Sequence, residues 1–373
     1  RPFKMAAPIA NASKASASLL SRFQGALVGA VAGDCLGANF ECDVQVNVQA
    51  VEKFFLNVNN LKEQQVFTDD TAMARSVANS LINKQGLDTH DMATRFVDEF
   101  HIEPDRGYGA NIGNVFQALK KSNCADVFGP ASQQFDGQGS YGNGAAMRIA
   151  PAALYGLHMS DENLYKLVTD VSRITHSHRD AINGAILQCL SVRQALRVEQ
   201  GALVPEAFVD EVLKHMKVLE KDEDDGPPKA KRRPKRLSEE QPKPYCYKLL
   251  KIKEFLKEED VSRETVEATL GNDISALGSA PTALYSFLRG LKPIYDLKFD
   301  NELERTICYA VSLGGDTDTI ATMAGAMAGA YYGIEKVPEQ WLKICEGVDV
   351  AKIQAEQLFD IVNKMDRETD AVK

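Results

Sequence analysis

The sequence predicts an all-α protein. Apolar residues recur at three- and four-residue intervals along most of the chain, convincing strand alternation is missing, and two segments rich in Gly and Ala have the pattern of closely packed helices. The helical pattern covers 21–33, 71–84, 89–101, 111–121, 160–174 and 178–199. It continues through 205–219, 246–258, 281–290, 301–312, 319–332 and 350–365. Only Val44–Val48 offers a short strand-like stretch. The small-residue segments are 25–41 (GALVGAVAGDCLGANFE) and 320–333 (IATMAGAMAGAYYG), in which Gly or Ala returns every third or fourth position. In a bilayer that pattern pairs helices. Here no apolar run approaches the roughly 20 residues a membrane span needs, so close backbone packing at the centre of the fold accounts for it.

Composition narrows the function classes. The 373 residues carry a formal net charge of −9 and are 44% hydrophobic, which suits a globular protein with a sizeable core and argues against duplex nucleic-acid binding. Seven scattered cysteines, without a C-x-x-C pair, favour reduced thiols in an intracellular compartment and disfavour a cysteine-based zinc site. Residues 1–20 are expected to be flexible. The Ala/Ser-rich stretch 1–24 carries Arg and Lys without any acid, a composition shared by mitochondrial transit segments and by frayed termini. From Lys221 to Pro244 the chain holds five prolines and almost no apolar side chain, so a mobile insertion is expected there. Its basic stretch Lys229–Arg236 reads equally as a nuclear-import signal or a solvated loop. Helical patterning resumes afterwards, so 21–366 is expected to form one domain.

Two acidic motifs stand directly before helices. Thr68-Asp69-Asp70-Thr71 precedes AMARSVANSL, and Gly314-Gly315-Asp316-Thr317-Asp318-Thr319 precedes the second small-residue helix. Capping explains one oxygen-bearing side chain per helix start, not four. Asp316 and Asp318 would diverge on a regular helix but can converge in a glycine-led turn. Asp34 and Glu41 form a third acidic set, after the first small-residue helix. Clusters of carboxylate and hydroxyl oxygens suit a hard cation such as Mg²⁺, the absence of His and Cys from the first two motifs disfavours zinc, and a shared carboxylate allows two ions.

A glycine-rich stretch, 137–148 (GQGSYGNGAAMR), matches neither a Walker A nor a dinucleotide fingerprint. Its residues Gly139, Ser140, Tyr141, Gly142, Asn143 and Gly144 form either an ordinary loop or a phosphate cradle of backbone amides, with a helix start following. Among six histidines, His176 in Thr175-His176-Ser177-His178 is the most interesting, although a lone His is more often packed or capping than catalytic.

Taken together, GALVGAVAGDCLGANFE, FTDDTAMARS, GSYGNGAAMRIAP, THSHRDAINGAILQ and SLGGDTDTIATMAGAMAGAYYG resemble the ADP-ribosylglycohydrolases, in family order over roughly 21–360. The resemblance is nearest to a vertebrate-type branch, and implies an all-α enzyme with two Mg²⁺. Its implied substrates are serine-linked ADP-ribosylated proteins, poly(ADP-ribose) and O-acetyl-ADP-ribose; an arginine-linked hydrolase of the same family and a catalytically silent ADP-ribose binder are the alternatives. The resemblance further implies Thr68, Asp69, Asp70, Asp316, Asp318 and Thr319 as metal ligands, with Asp318 bridging and Glu41 closing the site. Catalysis falls to Glu41, with Asp69 or Asp70 as the other acid/base candidates. Residues 139–144 and His176 are implied to hold the diphosphate, Tyr141 the distal ribose and Ile274 the adenine. A monomer in nucleus and cytoplasm, with the mitochondrial matrix as a further compartment, is expected. Two departures from the family pattern are a short stretch between Glu41 and Thr68 and a long basic insertion.

Overall fold

A computed structural model describes residues 7–41, 46–221 and 243–372. Every regular element among them is helical. Strand-like pairing is confined to the isolated bridges Gln65–Cys345, Gly142–Ser275 and Ile294–Leu297. The all-α expectation holds.

The centre is an antiparallel pair, Ala7–Gly37 and Thr317–Tyr332. Gly25, Gly29, Gly33 and Gly37 fall on one face of the first helix, four residues apart. They meet Gly329, Gly325, Ala321 and Asp318 of the second in reverse order. A Cβ on Gly29 would lie 2.3 Å from the Gly325 carbonyl oxygen, and one on Gly33 would lie 2.2 Å from that of Ala321. The two backbones therefore touch without intervening side chains. Around this pair pack Ala276–Gly290, Glu302–Ser312, Arg179–Arg197 and Val348–Val372, closing one continuous apolar core.

Most helices match the sequence pattern within a few residues, and the exceptions have local causes. Val48 does not extend a strand: Asn47 caps a helix over Val48–Asn57, its side chain accepting from the Ala50 amide at 3.1 Å. Val44 and Gln45 of that expected strand lie outside the described residues. The helix expected from 281 begins at Ala276, with Ser275 as its cap. Pro281 hid this start. It lacks the N–H that would bond the Leu277 carbonyl, and the Lys248 ammonium donates to that oxygen instead at 2.7 Å. Arg263–Leu270 and Glu339–Ile344 are further helices whose short turns gave too little periodicity to recognise. The expected insertion at 221–244 lies largely outside the described residues, as do 1–6. No described helix is long and apolar enough to cross a membrane.

The contact between the central helices yields a stability prediction. Gly325→Ala places its Cβ 2.2 Å from the Gly29 carbonyl oxygen, and overpacking of this kind costs about 1–3 kcal/mol. A clear drop in thermal midpoint, followed by circular dichroism, is expected. Gly86→Ala meets its nearest atom only at 3.8 Å and should leave the midpoint essentially unchanged. Equal midpoints for the two variants would contradict the packing described.

Candidate functional site

The packing of the central pair fixes where the acidic motifs meet. Gly37 lets the end of the first helix rest on Asp318, since its Cβ would lie 2.7 Å from the Asp318 Cα. The preceding turn uses Gly314 at φ +69° and Gly315 at φ +71°, a left-handed conformation that favours glycine. Asp316 follows as N-cap residue of Thr317–Tyr332, and Asp318 stands in the first turn. Ligand oxygens of Glu41, Asp316 and Asp318 lie within 4.8 Å of one another, a cluster able to hold a cation. The glycine-led turn thus brings the two aspartates together, the convergence such a turn allows.

The Thr68–Asp70 arm is held from behind. Asp34, fully buried on the first central helix, accepts from the Thr68 amide at 3.0 Å and the Thr68 hydroxyl at 2.9 Å. It also accepts from the Thr71 amide at 3.0 Å and the Thr71 hydroxyl at 2.5 Å. Arg106 completes the clamp. It forms a bidentate pair with Glu346 at 2.7 and 2.9 Å, donates to the Phe67 carbonyl at 3.1 Å, and lies over the Phe67 ring. The Asp69 amide donates to the Arg106 carbonyl at 2.6 Å. Asp70 is thereby delivered beside Thr319, whose hydroxyl donates to Asp70 Oδ1 at 3.2 Å.

One electrostatic fact stands out from this geometry. Asp70 Oδ2 and Asp318 Oδ1 are buried without a hydrogen-bond partner among the described residues. Burial, and next the charge of Asp318, raise the pKa values of Asp69, Asp70 and Asp316 well above the usual carboxylate range. The same causes, in the same order, raise Glu41 and push Asp34 up to about 7, even though Thr71 and Thr68 hydrogen bonds oppose the shift at Asp34. No Lys or Arg forms an ion pair with these carboxylates among the described residues. Orphaned, crowded oxygens of this kind fit a hard divalent cation.

The cavity of about 280 Å³ in front of the cluster also contains Ser140, Gly142, Asn143, Gly144, His176 and Ile274. Its carboxylate wall is Glu41, Asp69, Asp70, Asp316 and Asp318, with Thr319. The middle of the glycine loop is anchored to 274–276 on either side of Gly142. The Asn143 amide donates to the Ile274 carbonyl at 3.0 Å, and the Ala276 amide donates to that of Tyr141 at 3.0 Å. The Asn143 side chain donates to Asp316 Oδ2 at 2.5 Å, tying loop to acidic cluster. After the loop comes a broken helix, Gly144–Met147 and then Ala150–Tyr155, rather than one continuous element.

Three nominated residues do not line this cavity: Thr68, Gly139 and Tyr141. The Thr68 hydroxyl turns its proton to Asp34, and Gly139, at φ +76°, backs against Ser177. Tyr141 stands half-exposed beside Phe135 and His178, at ring distances of 5.9 and 6.0 Å. Sequence reading missed Arg106–Ile112, Phe135, Arg148 and Glu346. Glycines at 107 and 109 around Tyr108 were the available signal for the first; Glu346 gave none, being one acid in an ordinary loop. A second cavity of about 400 Å³, between Arg179–Arg197 and Pro205–Leu219, contains no nominated residue.

The ADP-ribosylglycohydrolase family model matches residues 15–369. ADP-ribosylhydrolase ARH3 of Xenopus tropicalis is 44% identical over 347 residues, covering 92% of this chain and 96% of its own. The Homo sapiens protein of the same name is 43% identical over 358 residues, covering 94% and 96%. A solved structure described as an ADP-ribosylglycohydrolase-related protein complex superposes with a TM-score of 0.62 over 92% of this chain and 99% of that one; at 24% identity it supports the fold alone.

A pH dependence follows from the crowded carboxylates. Asp34 titrates at about 7 in the folded, metal-free protein and at roughly 3.9 when unfolded. The folded state therefore binds more protons between those values, and stability is lost as pH rises through that window. The thermal midpoint of chelator-treated protein should fall between pH 5.5 and pH 7.5, and millimolar Mg²⁺ should restore it more at the higher pH. A flat profile indifferent to Mg²⁺ would contradict this account.

Proposed function

The chain belongs to the ADP-ribosylglycohydrolase family, and from that premise we propose that it is a Mg²⁺-dependent hydrolase of ADP-ribosyl bonds. Its substrates are ADP-ribose on protein serine, poly(ADP-ribose) and O-acetyl-ADP-ribose. The observation carrying this reading is the meeting, in one cavity, of the unpartnered Asp70 and Asp318 oxygens with the glycine loop Ser140–Gly144. Identity above 40% to proteins named ADP-ribosylhydrolase ARH3, over nearly the whole of both chains, supports hydrolysis of ADP-ribosyl bonds.

In this reading Thr68, Asp69, Asp70, Asp316, Asp318 and Thr319 would hold two Mg²⁺, with Asp318 as the ligand common to both. Bound there, the ions would supply positive charge for orienting vicinal ribose hydroxyls and activating water. The chain's own groups do the rest. Ser140, Gly142, Asn143, Gly144 and His176 fix the diphosphate, Gly139 sets the left-handed turn that opens the loop, and Tyr141 at the rim faces the distal ribose. Ile274, 71% exposed, offers an apolar edge to adenine. Holding both ends of the ligand places the anomeric carbon near the carboxylates. Glu41, at the mouth and raised in pKa by burial and by Asp318, is suited to move a proton at the scissile oxygen. Asp69 and Asp70 are the other candidates. Developing positive charge on the ribose is stabilised by the surrounding carboxylates. Residues 21–366 act as one catalytic domain and the protein as a monomer, in nucleus and cytoplasm, with the mitochondrial matrix as a further compartment.

The test is release of free ADP-ribose from a serine-ADP-ribosylated peptide, with Mg²⁺ and with excess EDTA, beside an arginine-linked substrate. Metal-dependent release from serine alone is expected, and release from arginine alone reverses the linkage assignment. Asp318→Asn and Asp69→Asn should each lower turnover by about 100-fold or more, since each removes a charge expected to stabilise the transition state. Near-normal rates in both would end the metal assignment.

A further inference from the structure

Behind the glycine loop runs a short buried polar chain, Arg148, Thr175 and His176. Arg148 is 1% exposed, its guanidinium 4.6 Å over the Phe96 ring. Its Nη2 donates to the Val171 carbonyl at 3.2 Å and to Thr175 Oγ1 at 2.6 Å. Thr175 is fully buried, and its Oγ1 lies 2.7 Å from His176 Nδ1. A guanidinium only donates, so Thr175 Oγ1 must accept from Arg148. The remaining hydroxyl proton has, among the described residues, one acceptor in reach: His176 Nδ1. A proton on Nδ1 would leave that buried hydroxyl proton without a partner, which is costly. The ring proton therefore belongs on Nε2. Burial first, and Arg148 second, hold the imidazole neutral, with its pKa lowered to about 3.

Nε2 faces the glycine loop. A Cβ added to Gly142 would lie 3.5 Å from it, and one added to Gly144 would lie 3.0 Å from it. Both glycines thus leave the ring edge open to the cavity that His176 lines beside Ser140 and Asn143.

We propose that Arg148 and Thr175 are positioning residues that lock His176 as its Nε2–H tautomer, so that it presents a fixed, uncharged donor to a diphosphate oxygen of the ligand. This rests on the reading of loop 139–144 as a diphosphate cradle. The relay also accounts for a buried arginine that has no carboxylate partner among the described residues: its charge orders a hydroxyl proton.

The experiment uses full-length, histidine-labelled protein at pH 7 and two-dimensional ¹H–¹⁵N correlation of the rings, with His176→Gln to assign the signal. The expected pattern is pyridine-like Nδ1 and pyrrole-like Nε2, unchanged between pH 5 and 8. An Nδ1–H pattern, or a ring that titrates in this range, overturns the proposal whether or not ligand binds. Binding of free ADP-ribose by calorimetry is the second arm. Thr175→Val should average the ring nitrogens and weaken ADP-ribose binding by about tenfold or more, the scale of a hydrogen bond to a charged group. Thr175→Ser keeps the hydroxyl and should restore both readouts. ADP-ribose binding by Thr175→Val as tight as wild type overturns the proposal. If Thr175→Val does not fold, the wild-type ring pattern and Thr175→Ser decide. A wild type showing the expected ring pattern but no ADP-ribose binding would retain the relay and reject the ligand assignment.

Discussion

Everything at the candidate site depends on two helix backbones touching. The glycine ladder of Ala7–Gly37 against Thr317–Tyr332 lets carbonyl oxygens of one helix occupy the space a side chain would fill on the other. Without that approach Asp34, near the end of the first helix, could not share an acidic centre with Asp318 at the start of the second. The ladder ends where the acids begin. Gly37 rests on Asp318, and the Thr317 hydroxyl donates to the Gly37 carbonyl at 2.9 Å. Packing and chemistry are one arrangement at that contact.

The arrangement is electrostatically adverse when metal-free. Two ionised carboxylate oxygens within 4.8 Å of one another repel by at least about 3.5 kcal/mol at an effective dielectric of about 20. The helix starts at Asp69 and Thr317 offer some relief, yet a macrodipole contributes only about 0.3–1 kcal/mol per charge, rising to about 2 when partly buried. Hydrogen bonds help chiefly at Asp34, which has four donors; Asp70 Oδ2 and Asp318 Oδ1 have none. The repulsion exceeds these local remedies. A cluster held this firmly by Asp34, Arg106 and Glu346 is pre-organised for cation binding, because the cost of gathering the charges is met by the packing of the fold rather than at the moment of binding.

Much of this was legible in the sequence, for identifiable reasons. Small residues at helical spacing announce a close backbone approach, and Gly-Gly before Asp-x-Asp announces a turn that makes the two acids converge. Both inferences use spacing within a few residues, where local geometry is nearly determined. Contacts between distant segments were not legible. Glu346 clamps Phe67 through Arg106 across 240 residues of chain, and nothing in its neighbours signals that. Asp34 was singled out as a third acidic residue, but its use as the acceptor for Thr68 and Thr71 appears only once the helices are placed. One helix start was also misplaced where Pro281 masked the pattern; the Leu277 carbonyl that the proline leaves without its helical donor accepts from Lys248 of another helix.

The two ends of the cavity solve opposite problems with opposite means. At the carboxylate end, acidic side chains crowd together with orphaned oxygens, so binding of a cation there would be dominated by charge. At the loop end the ligand itself would be anionic, yet the residues facing it, Ser140, Gly142, Asn143, Gly144 and His176, are uncharged. The nearby cation, Arg148, is turned toward Val171 and Thr175. A charged donor at this point would pair with Asp316, whose Oδ2 already receives the Asn143 side chain, and would compete with cation binding. Neutral dipoles avoid that competition, because they attract a diphosphate only when correctly oriented and exert little pull on carboxylates farther away. The segregation of charge from dipole would therefore let the proposed cation site and the proposed diphosphate site share one cavity of about 280 Å³ without neutralising each other.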